Sequence, residues 1–364
     1  MPRVAIAAGG IAGHVVPALA VADALRAEGA RVTFIGARGR LEAELVPKAG
    51  YELELLDVRG LDRTNPLRAV TALVLAARAV PAARGILSRI RADAVMGGGG
   101  YVAGPAGIAA ISLRLPLVLT EADRHLGLAN RWLARRARRV CLAFPIPGRE
   151  DERYVVTGRP VPAAILEADR ATARRRFGIG EADRCLLVFG GSQGARTINV
   201  AALDAFAGAD GRPPPERDFH VLHVAGHRDY EMAAGRLRAG GDPAAYTLLE
   251  YESSLADSLA ACDLVLARAG GSIFEVAAAG RPAILVPYPH ASADHQRANA
   301  EWMVDAGAAT VIDDAALDGP TLFASASALL DDPERLRAMA AASAAIARPD
   351  AAERVAAEIL AACP

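Results

Sequence analysis

Lysine, cysteine and long apolar runs are scarce in this 364-residue sequence. Lys48 is the only lysine, so 40 of the 41 basic residues are arginines. The four cysteines lie far apart without metal-ligand spacing, which excludes a disulfide framework or a cysteine-based zinc site and predicts reduced thiols. The longest uncharged run, Ala94 to Leu113, contains six glycines and a proline and lacks the apolar density of a membrane-spanning helix. The first residues show no secretory signal, so we expect a cytosolic chain.

Charge is unevenly distributed, although the formal net charge is only −1. Residues 1–160 contain 23 basic and 14 acidic side chains, a net charge of +9, and the remainder has a net charge of −10. This asymmetry indicates an anionic surface or polyanion facing the first half; the alternative is a chance imbalance between two solvated surfaces. Nucleic acid is a poorer explanation, because the second half is acidic and no nucleic-acid motif is present.

Apolar strand-like segments alternate with helical segments throughout the chain. This pattern predicts parallel sheets covered by helices, the α/β class. The predicted strands are Val4–Ala8, Arg31–Ile35, Ala94–Met96, Leu117–Thr120, Cys185–Phe189, His220–Val224, Leu264–Ala267 and Ala283–Val286.

The chain contains one strand–glycine–helix pattern twice. "VAIAAGGIAGH" and "CLLVFGGSQGA" each place an apolar strand before Gly-Gly-x-x-Gly and a helix, which predicts two Rossmann-like domains in tandem. We expect these domains to span residues 1–162 and 163–342, with Phe144–Pro162 as the linker. A C-terminal helix, about 343–364, is a candidate to pack back on the first domain.

The first glycine loop, residues 8–13, offers free backbone N–H groups and the positive end of a helix dipole to a phosphate or diphosphate. An NAD site would also need an acidic residue about 20 positions later. The second strand instead ends in Gly36-Ala37-Arg38, and Arg38 leaves NADP as an open alternative. Two more such loops, the second glycine loop (96–105) and the third glycine loop (190–195), favour a diphosphate donor on one domain and an acceptor on the other, across a cleft.

Seven motifs, spread over nearly the whole chain, resemble the bacterial GT-B glycosyltransferases that convert lipid I to lipid II in peptidoglycan synthesis. They are "GGIAGHVVPALAVADAL", "LEAELVPKAGYE", "GGYVAGPAGIAA", "GLANRWLA", "GGSQGARTIN", "EVAAAGRPAILVPYPH" and "HQRANA". The resemblance implies two Rossmann-like domains whose parallel sheets face each other across a cleft. It also implies inverting transfer of N-acetylglucosamine from UDP-N-acetylglucosamine to the muramyl 4-hydroxyl of lipid I, with no obligatory metal or other cofactor.

The resemblance places His14 and Glu121 as competing candidates for the general base. A neutral imidazole is the better base at cellular pH, so His14 is favoured. Gly99, Gly100 and Tyr101 are implied to contact the acceptor. The implied donor-binding residues are Ile11, Ala12, Gly13, Asp123, Arg159, Gly191, Ser192, Gln193, Tyr251, Gly271, Ser272, Glu275, His295 and Gln296.

Several donor residues also have structural explanations. Ser192 begins a helix, where a serine cap alone would account for it. Ser272 and Glu275 form the Ser-x-x-Glu pattern of a capping box, but the resemblance favours Glu275 as the carboxylate that binds the ribose. Gln296 is implied to contact the hydroxyls of the transferred sugar. We expect Asn299 to support this loop rather than to contact substrate.

The sequence departs from the family pattern within these motifs. The threonine and following glycine of the first glycine loop are replaced by Ile11 and Ala12, and an amide expected near the donor's N-acetyl group is replaced by Asp123. The arginine expected after the linker is Pro162, which leaves Arg159 as the nearby cation.

Two histidines, His290 and His295, lie close together in the sequence. His295 stands where the family has the first of two glutamines. The pair raises the alternative of a metal site, but no third ligand has convincing spacing, so we expect no metal.

Two arginine-rich segments suggest a membrane-binding surface. No acidic residue lies between Asp62 and Asp93, where arginines surround an apolar stripe, and "NRWLARRARRV" places a tryptophan among five arginines. Apolar residues rimmed by basic ones suit an interfacial surface; the alternative is a core helix with a solvated arginine face. The residues expected at the membrane are Leu73, Leu75, Trp132, Arg135, Arg136 and Arg139.

We therefore expect a peripheral protein on the cytoplasmic face of the bacterial membrane. Its expected partners are UDP-N-acetylglucosamine, lipid I and anionic lipid, and proteins of cell-wall synthesis and cell division are further candidates. The alternatives are a GT-B enzyme acting on another lipid, a UDP-sugar 2-epimerase, a nicotinamide oxidoreductase and a sugar-nucleotide-binding regulator.

Overall fold

The structure is a computed structural model that describes residues 1–60, 66–191, 194–207, 217–241, 245–252, 254–291 and 294–364, without the side chains of 66–70 and 73. The chain divides into two compact units. Unit 1 comprises Met1–Pro162 and Arg348–Pro364, and unit 2 comprises Ala163–Ala347. The chain returns to unit 1 a few residues after position 342, where the sequence predicts the second domain to end.

Unit 1 is an α/β unit. Its strands are β1 (Arg3–Ala7), β2 (Arg31–Ala37), β3 (Glu52–Leu56), β4 (Ala94–Gly97), β5 (Leu117–Glu121), β6 (Arg139–Leu142) and β7 (Tyr154–Val156). Its helices before the crossing to unit 2 are α1 (Ala12–Ala27), α2 (Glu42–Lys48), α3 (Pro66–Ile90), α4 (Ala103–Ser112) and α5 (Leu128–Leu133). Within the described residues the strands form one parallel sheet in the order β3-β2-β1-β4-β5-β6-β7.

Unit 2 repeats this architecture. Its strands are β8 (Arg184–Phe189), β9 (Phe219–Val224), β10 (Tyr246–Leu249), β11 (Leu264–Ala267), β12 (Ala283–Leu285) and β13 (Ala309–Val311). Its helices are α6 (Ala164–Glu167), α7 (Arg170–Phe177), α8 (Arg196–Phe206), α9 (Tyr230–Ala239), α10 (Leu255–Ala261), α11 (Ile273–Ala278), α12 (His295–Asp305), α13 (Gly319–Leu330) and α14 (Pro333–Ile346), with a 3₁₀ turn at Asp314–Ala316. In the described part of unit 2 the parallel order is β10-β9-β8-β11-β12-β13. The α/β class with two Rossmann-like units is therefore confirmed.

Helices cover both faces of the central strands, which explains their continuous apolar sequences. On one face of β1, Val4 and Ile6 pack with Val15 and Leu25 of α1. The last helix, α15 (Ala351–Ala362), packs on α1 and contributes Ile359 to the same cluster. The other face of β1 packs in a second cluster with α3 and α4. Burial of each such aliphatic side chain contributes roughly 1.5–3 kcal/mol.

All eight strands predicted from the sequence are present, and the sequence missed β6 and the four edge strands β3, β7, β10 and β13. Edge strands have one neighbour and are only partly buried, so they lack the apolar runs of central strands. The segment predicted as a linker, Phe144–Pro162, consequently contains the edge strand β7.

Each sheet has one switch point, where chain order reverses. It lies between β1 and β4 in unit 1 and between β8 and β11 in unit 2. Ligands of open α/β sheets bind beyond the carboxyl ends of the strands at this place. The first and second glycine loops follow β1 and β4, and the third follows β8, so all three lie at switch points.

Candidate functional site

The first and second glycine loops contact each other directly in unit 1. Gly99 and Gly100 have positive φ values of 97° and 78°, and a Cβ on Gly100 would overlap the carbonyl oxygen of Gly9. Only glycine permits this backbone conformation and this approach together. The two loops therefore form one surface at the switch point.

His14 lies in the first turn of α1 between these loops. Its Nδ1 is 3.1 Å from the carbonyl oxygen of Gly9. A carbonyl oxygen can only accept, so Nδ1 donates, and Nε2 of the neutral ring is the basic nitrogen. A Cβ on Gly99 would lie 2.8 Å from Cδ2 and 3.2 Å from Nε2, so the second glycine loop can pack this closely on the ring only with glycine at this position.

Burial lowers the pKa of His14 below its ordinary value of 6.5, and the positive charge of Arg159 acts in the same direction. The hydrogen bond to Gly9 and the negative charges of Asp123 and Glu42 act to raise this pKa. Because burial is the largest effect, the neutral, basic form is favoured at cellular pH.

Glu121, the competing base candidate, is buried at the end of β5, and both of its carboxylate oxygens are engaged. Oε1 accepts from the backbone N–H groups of Ala122 and Asp123 at 3.0 and 3.3 Å. Oε2 accepts from the N–H of Gly127 at 2.8 Å and from the side-chain amide of Asn130 at 2.9 Å. Burial raises the pKa of Glu121, and these hydrogen bonds oppose the rise. The carboxylate organises the loop between β5 and α5.

Two residues that depart from the family pattern, Ile11 and Ala12, lie in the first glycine loop, and Arg159 and Tyr101 lie beside it. Arg159 donates from Nη2 to the carbonyl oxygen of Gly13 at 2.5 Å, which attaches the segment after β7 to the first turn of α1. Ile11 is 58% exposed and Ala12 is half-buried beside it. The ring of Tyr101 lies 3.4 Å from the Cβ position of Gly10 and is 43% exposed.

Arg38, the candidate for an NADP phosphate, forms an ion pair with Asp57 at 3.1 Å. The end of β2 thus offers a charge-compensated surface rather than a free cation.

The third glycine loop of unit 2 also depends on close approaches. A Cβ on Gly190 would overlap the backbone of Ala195, and a Cβ on Gly194 would overlap the carbonyl oxygen of Ala225. Gly191 is exposed with a φ of 88°. The predicted diphosphate-binding residues Ser192 and Gln193 lie outside the described residues.

A buried polar network that the sequence did not reveal lies beneath this loop. Asn199 of α8 donates from Nδ2 to the carbonyl oxygen of Ala225 at 2.8 Å and to Asp229 at 3.1 Å. Its Oδ1 is 3.0 Å from Nε2 of His223, whose Nδ1 is 2.7 Å from the hydroxyl of Tyr246. Burial lowers the pKa of His223 to about 3, so the ring stays neutral. Nε2–H donates to Asn199 and the tyrosine hydroxyl donates to Nδ1.

A second glycine pair follows β11, on the other side of the switch point of unit 2. Gly270 and Gly271 precede α11, and the side chain of Ser272 makes no capping hydrogen bond at this helix. Half of the predicted capping box is therefore absent, which favours a binding role for the half-buried Glu275. Asn299 is buried and donates to the carbonyl oxygen of Ala269 at 3.0 Å, so it holds the segment that precedes this glycine pair.

Gln296, in the first turn of α12, has a fixed orientation. Its Oε1 accepts from the backbone N–H of Tyr288 at 2.9 Å. Its Nε2 is 3.9 Å from the Cβ position of Gly270. Because the carbonyl is engaged, the amide presents donors beside the glycine pair. His295, the neighbouring predicted donor residue, is half-buried.

An aromatic pair lies after β9 and β10. The rings of His227 and Tyr251 are stacked with centroids 4.9 Å apart and an interplanar angle of 20°. Tyr251 is 39% exposed, and His227 also contacts Glu250 at 2.8 Å. The stacked pair provides a flat, partly exposed aromatic surface near the carboxyl ends of the strands.

Among the described residues, no three histidine, cysteine, aspartate or glutamate side chains come together as a metal site would require. His290 contacts the ring of Tyr288 edge-on, with centroids 5.6 Å apart.

The residues predicted to contact the membrane differ in their exposure. Trp132 is 80% exposed on α5 and Leu128 is 55% exposed, while Ile108 of the adjoining α4 is 50% exposed. Leu75 of α3 is half-buried, and Leu73 lies outside the described side chains. No helix in the described part of the chain is long and apolar enough to span a bilayer.

The arginines of this surface differ in their contacts. Arg131, Arg135 and Arg136 are exposed and engage no other described residue through their side chains. Arg139, also expected at the membrane, is half-buried. Its Nε is 3.0 Å from Glu358 of α15, so its charge is compensated within unit 1.

The fold and the sequence of this chain match those of known proteins. Two Rossmann-like units with glycine loops at their switch points are the architecture of the GT-B fold, which the chain shares with a glycosyltransferase of known structure. The model of the glycosyltransferase family 28 N-terminal domain matches residues 4–142, and that of the C-terminal domain matches residues 185–355. The chain belongs to glycosyltransferase family 28.

Relatives that match over nearly the full length of both chains share one name. The UDP-N-acetylglucosamine–N-acetylmuramyl-(pentapeptide) pyrophosphoryl-undecaprenol N-acetylglucosamine transferase of Moorella thermoacetica is 42% identical, with 97% of each chain covered. The protein of that name from Halorhodospira halophila is 43% identical, covering 97% of this chain and 96% of its own. The crystal structure of Acinetobacter baumannii MurG is similar with a TM-score of 0.76 at 29% identity, covering 99% of this chain and 100% of that one. The nicotinamide oxidoreductase alternative is left without support.

Proposed function

We propose that this protein transfers N-acetylglucosamine from UDP-N-acetylglucosamine to the muramyl 4-hydroxyl of lipid I, giving lipid II with inversion at the anomeric carbon. The observation that carries the proposal is the 42–43% identity, over nearly the full length of both chains, to transferases of that name. The placement of glycine loops at both switch points supports it independently.

The acceptor is assigned to unit 1. The acceptor hydroxyl attacks the anomeric carbon as the bond from that carbon to the UDP oxygen breaks, and Nε2 of His14 takes the hydroxyl proton. The hydrogen bond from Nδ1 to Gly9 supports this role because it leaves Nε2 as the basic nitrogen. The engaged oxygens of Glu121 favour His14 over that carboxylate.

The donor is assigned mainly to unit 2. The third glycine loop binds the diphosphate and stabilises the departing UDP, Glu275 accepts from the ribose hydroxyls, and Tyr251 lies against the uracil. Gln296 donates to the transferred sugar. The engaged carbonyl of Gln296 and the missing cap at Ser272 support these roles. We expect no metal in this mechanism.

Unit 1 binds the cytoplasmic face of the membrane, because a lipid-linked acceptor cannot leave the bilayer. Trp132 and Leu128 insert at the interface, and three arginines whose side chains engage no other described residue, Arg131, Arg135 and Arg136, contact anionic headgroups. Each arginine contributes roughly 1 kcal/mol before salt screening.

A donor–acceptor assay with the full chain tests the proposal. With a lipid I analogue, we expect turnover with UDP-N-acetylglucosamine and at least tenfold less with UDP-glucose. Comparable turnover with both donors would contradict the donor assignment. Transfer to another lipid but not to lipid I would contradict the acceptor assignment.

A further inference from the structure

One peptide group connects two ionisable side chains of unit 1. The carbonyl oxygen of Gly9 accepts from Nδ1 of His14 at 3.1 Å. The N–H of Gly10, on the same peptide group, donates to Oε2 of Glu42 at 2.9 Å. The Gly9–Gly10 peptide is therefore polarised from both ends, with a carboxylate at its N–H and an imidazole at its carbonyl.

Glu42 is placed for this contact with little freedom to move. Its side chain is fully buried at the start of α2. Oε1 accepts a second backbone hydrogen bond, from the N–H of Ala37 at 2.8 Å. A Cβ on Gly9 would overlap Oε1, and a Cβ on Gly36 would lie 2.6 Å from Cγ, so two glycines provide the space for this carboxylate.

Burial of the Glu42 carboxylate has an energetic cost, which its contacts must offset. A buried carboxylate is expensive unless hydrogen bonds or opposite charges compensate it. In the described part of the chain no cation forms an ion pair with Glu42, and its two oxygens accept from the backbone N–H groups of Gly10, in the first glycine loop, and Ala37, at the end of β2. The carboxylate thus fixes the first glycine loop against the end of β2.

We propose that Glu42 is a positioning residue for His14 and acts through the Gly9–Gly10 peptide. The carboxylate orients this peptide so that its carbonyl holds Nδ1–H, which keeps Nε2 as the basic nitrogen. The negative charge also stabilises the imidazolium formed when Nε2 takes a proton. The inference rests on the proposed function, in which His14 is the base.

The stability of the His14 imidazolium depends on every charged group that acts on this ring. Arg159 disfavours the imidazolium, whereas Asp123 and Glu42 favour it. The second glycine loop contributes no charge where it contacts the ring, since Gly99 is the residue there. Removal of the Glu42 charge leaves Arg159 opposed by Asp123 alone, so the imidazolium becomes less stable.

Glu42→Gln is the decisive variant. A glutamine has one carbonyl oxygen, so its NH₂ group would face one of the two backbone donors and break that hydrogen bond. We expect kcat to fall by about 10- to 100-fold, the range that applies when a group that orients a metal-ligating histidine is removed. The KM for UDP-N-acetylglucosamine should change less than twofold. The acid limb of the pH profile of kcat should move to lower pH.

Two matched variants separate positioning from folding. Glu44→Gln alters an exposed glutamate on the same helix, paired with Lys48 at 2.7 Å, and should leave kcat and the pH profile unchanged. Glu42→Asp keeps the charge but shortens the reach, so it should lower kcat while the acid limb stays near its original pH. Thermal unfolding of each variant sets a common assay temperature below its transition.

A measurement on the free protein avoids dependence on turnover. In ¹⁵N-resolved histidine NMR, with His14→Ala used for assignment among the seven histidines, we expect the His14 pKa to be lower in Glu42→Gln. We also expect partial loss of the Nδ1–H tautomer. Unchanged NMR behaviour and an unchanged acid limb would overturn the positioning role, while His14→Ala still abolished turnover. A fully active His14→Ala would instead overturn the base assignment on which it rests.

Discussion

The side-chain amide of Asn130 donates to the Glu121 carboxylate at 2.9 Å, inside a loop where that carboxylate also accepts three backbone hydrogen bonds. A second contact from Asn130, to the carbonyl oxygen of Thr120 at 3.0 Å, fixes the amide between β5 and α5. Both oxygens of Glu121 and the NH₂ group of Asn130 serve the loop. A proton transferred to Glu121 would weaken these contacts, so this carboxylate is better suited to hold the loop than to act as a base.

His14→Ala should therefore lower turnover by roughly 10²–10⁴, the usual contribution of a general base. Glu121→Gln should cost less, because it disturbs the loop without removing the base. Both variants are to be assayed with saturating donor, together with the affinity for UDP, which should change little. A nearly active His14→Ala beside an inactive Glu121→Gln would assign the base to the glutamate.

The pH dependence of kcat/KM follows from the direction of the His14 pKa. The base must be deprotonated, so activity rises with pH through this pKa. Since burial lowers the pKa from 6.5, the acid limb should have its midpoint below pH 6.5. In Arg159→Gln the midpoint should move upward, because a nearby positive charge is removed. A midpoint above 6.5 in the original protein would contradict a lowered His14 pKa.

The positions of the three glycine loops and of His14 could be predicted from the sequence, because local patterns determine them. The strand–glycine–helix order predicted where the three loops lie, and His14 follows the first of them directly. The role of Glu42 was not accessible, since "LEAELVP" has the acidic start of an ordinary exposed helix. Nothing local marks which carboxylate becomes buried. The pairing of Arg139 with Glu358 was missed for a different reason: 219 residues separate the partners, and only the return of α15 to unit 1 joins them.

Glu275→Ala should weaken UDP and UDP-N-acetylglucosamine to the same extent, by roughly tenfold or more, because the proposed contact is to the shared ribose. Glu275→Gln should also weaken both, since an amide replaces one acceptor with a donor, whereas a merely helix-capping side chain would tolerate it. Titration calorimetry on the full chain measures both ligands. Unchanged UDP affinity in Glu275→Ala would contradict ribose binding.

Gln296→Glu should discriminate between the two ligands. The Gln296 carbonyl is engaged by Tyr288, so its NH₂ group is the part available to the sugar, and glutamate has no such donor. UDP affinity should stay within about twofold while UDP-N-acetylglucosamine binds roughly tenfold more weakly, the loss of one hydrogen bond. Glu301→Gln, exposed on the same helix, is the control. Equal weakening of both ligands would place Gln296 at the nucleotide instead.

Membrane binding should depend on the arginines of this surface whose side chains engage no other described residue. Replacing Arg131, Arg135 and Arg136 with glutamate should release the protein from anionic liposomes, and raising salt should do the same, since screening acts over about 10 Å at 0.1 M. The control makes the same charge change at three exposed arginines of unit 2, Arg175, Arg335 and Arg337. Equal loss of binding in both triple variants would indicate a dependence on net charge rather than on this surface.

The stability of unit 2 should fall as pH decreases below 6.5, because of His223. Its pKa is about 3 in the folded protein, where it is fully buried, against about 6.5 when unfolded. Below pH 6.5 the unfolded state binds a proton that the folded state does not, so acid favours unfolding.

Between pH 7 and pH 5 this group alone should remove about 2 kcal/mol from the free energy of unfolding of unit 2. Trp302 lies in unit 2 and Trp132 in unit 1, so denaturant titration of a Trp132→Phe protein follows unit 2 by the fluorescence of Trp302. In His223→Gln the protein should be less stable at pH 7, because the bonds to Asn199 and Tyr246 are altered. Between pH 7 and pH 5 the free energy of unfolding of this variant should nevertheless decrease by about 2 kcal/mol less than that of the original protein, since glutamine does not titrate. An identical pH dependence in both proteins would mean that His223 does not resist protonation in the folded state.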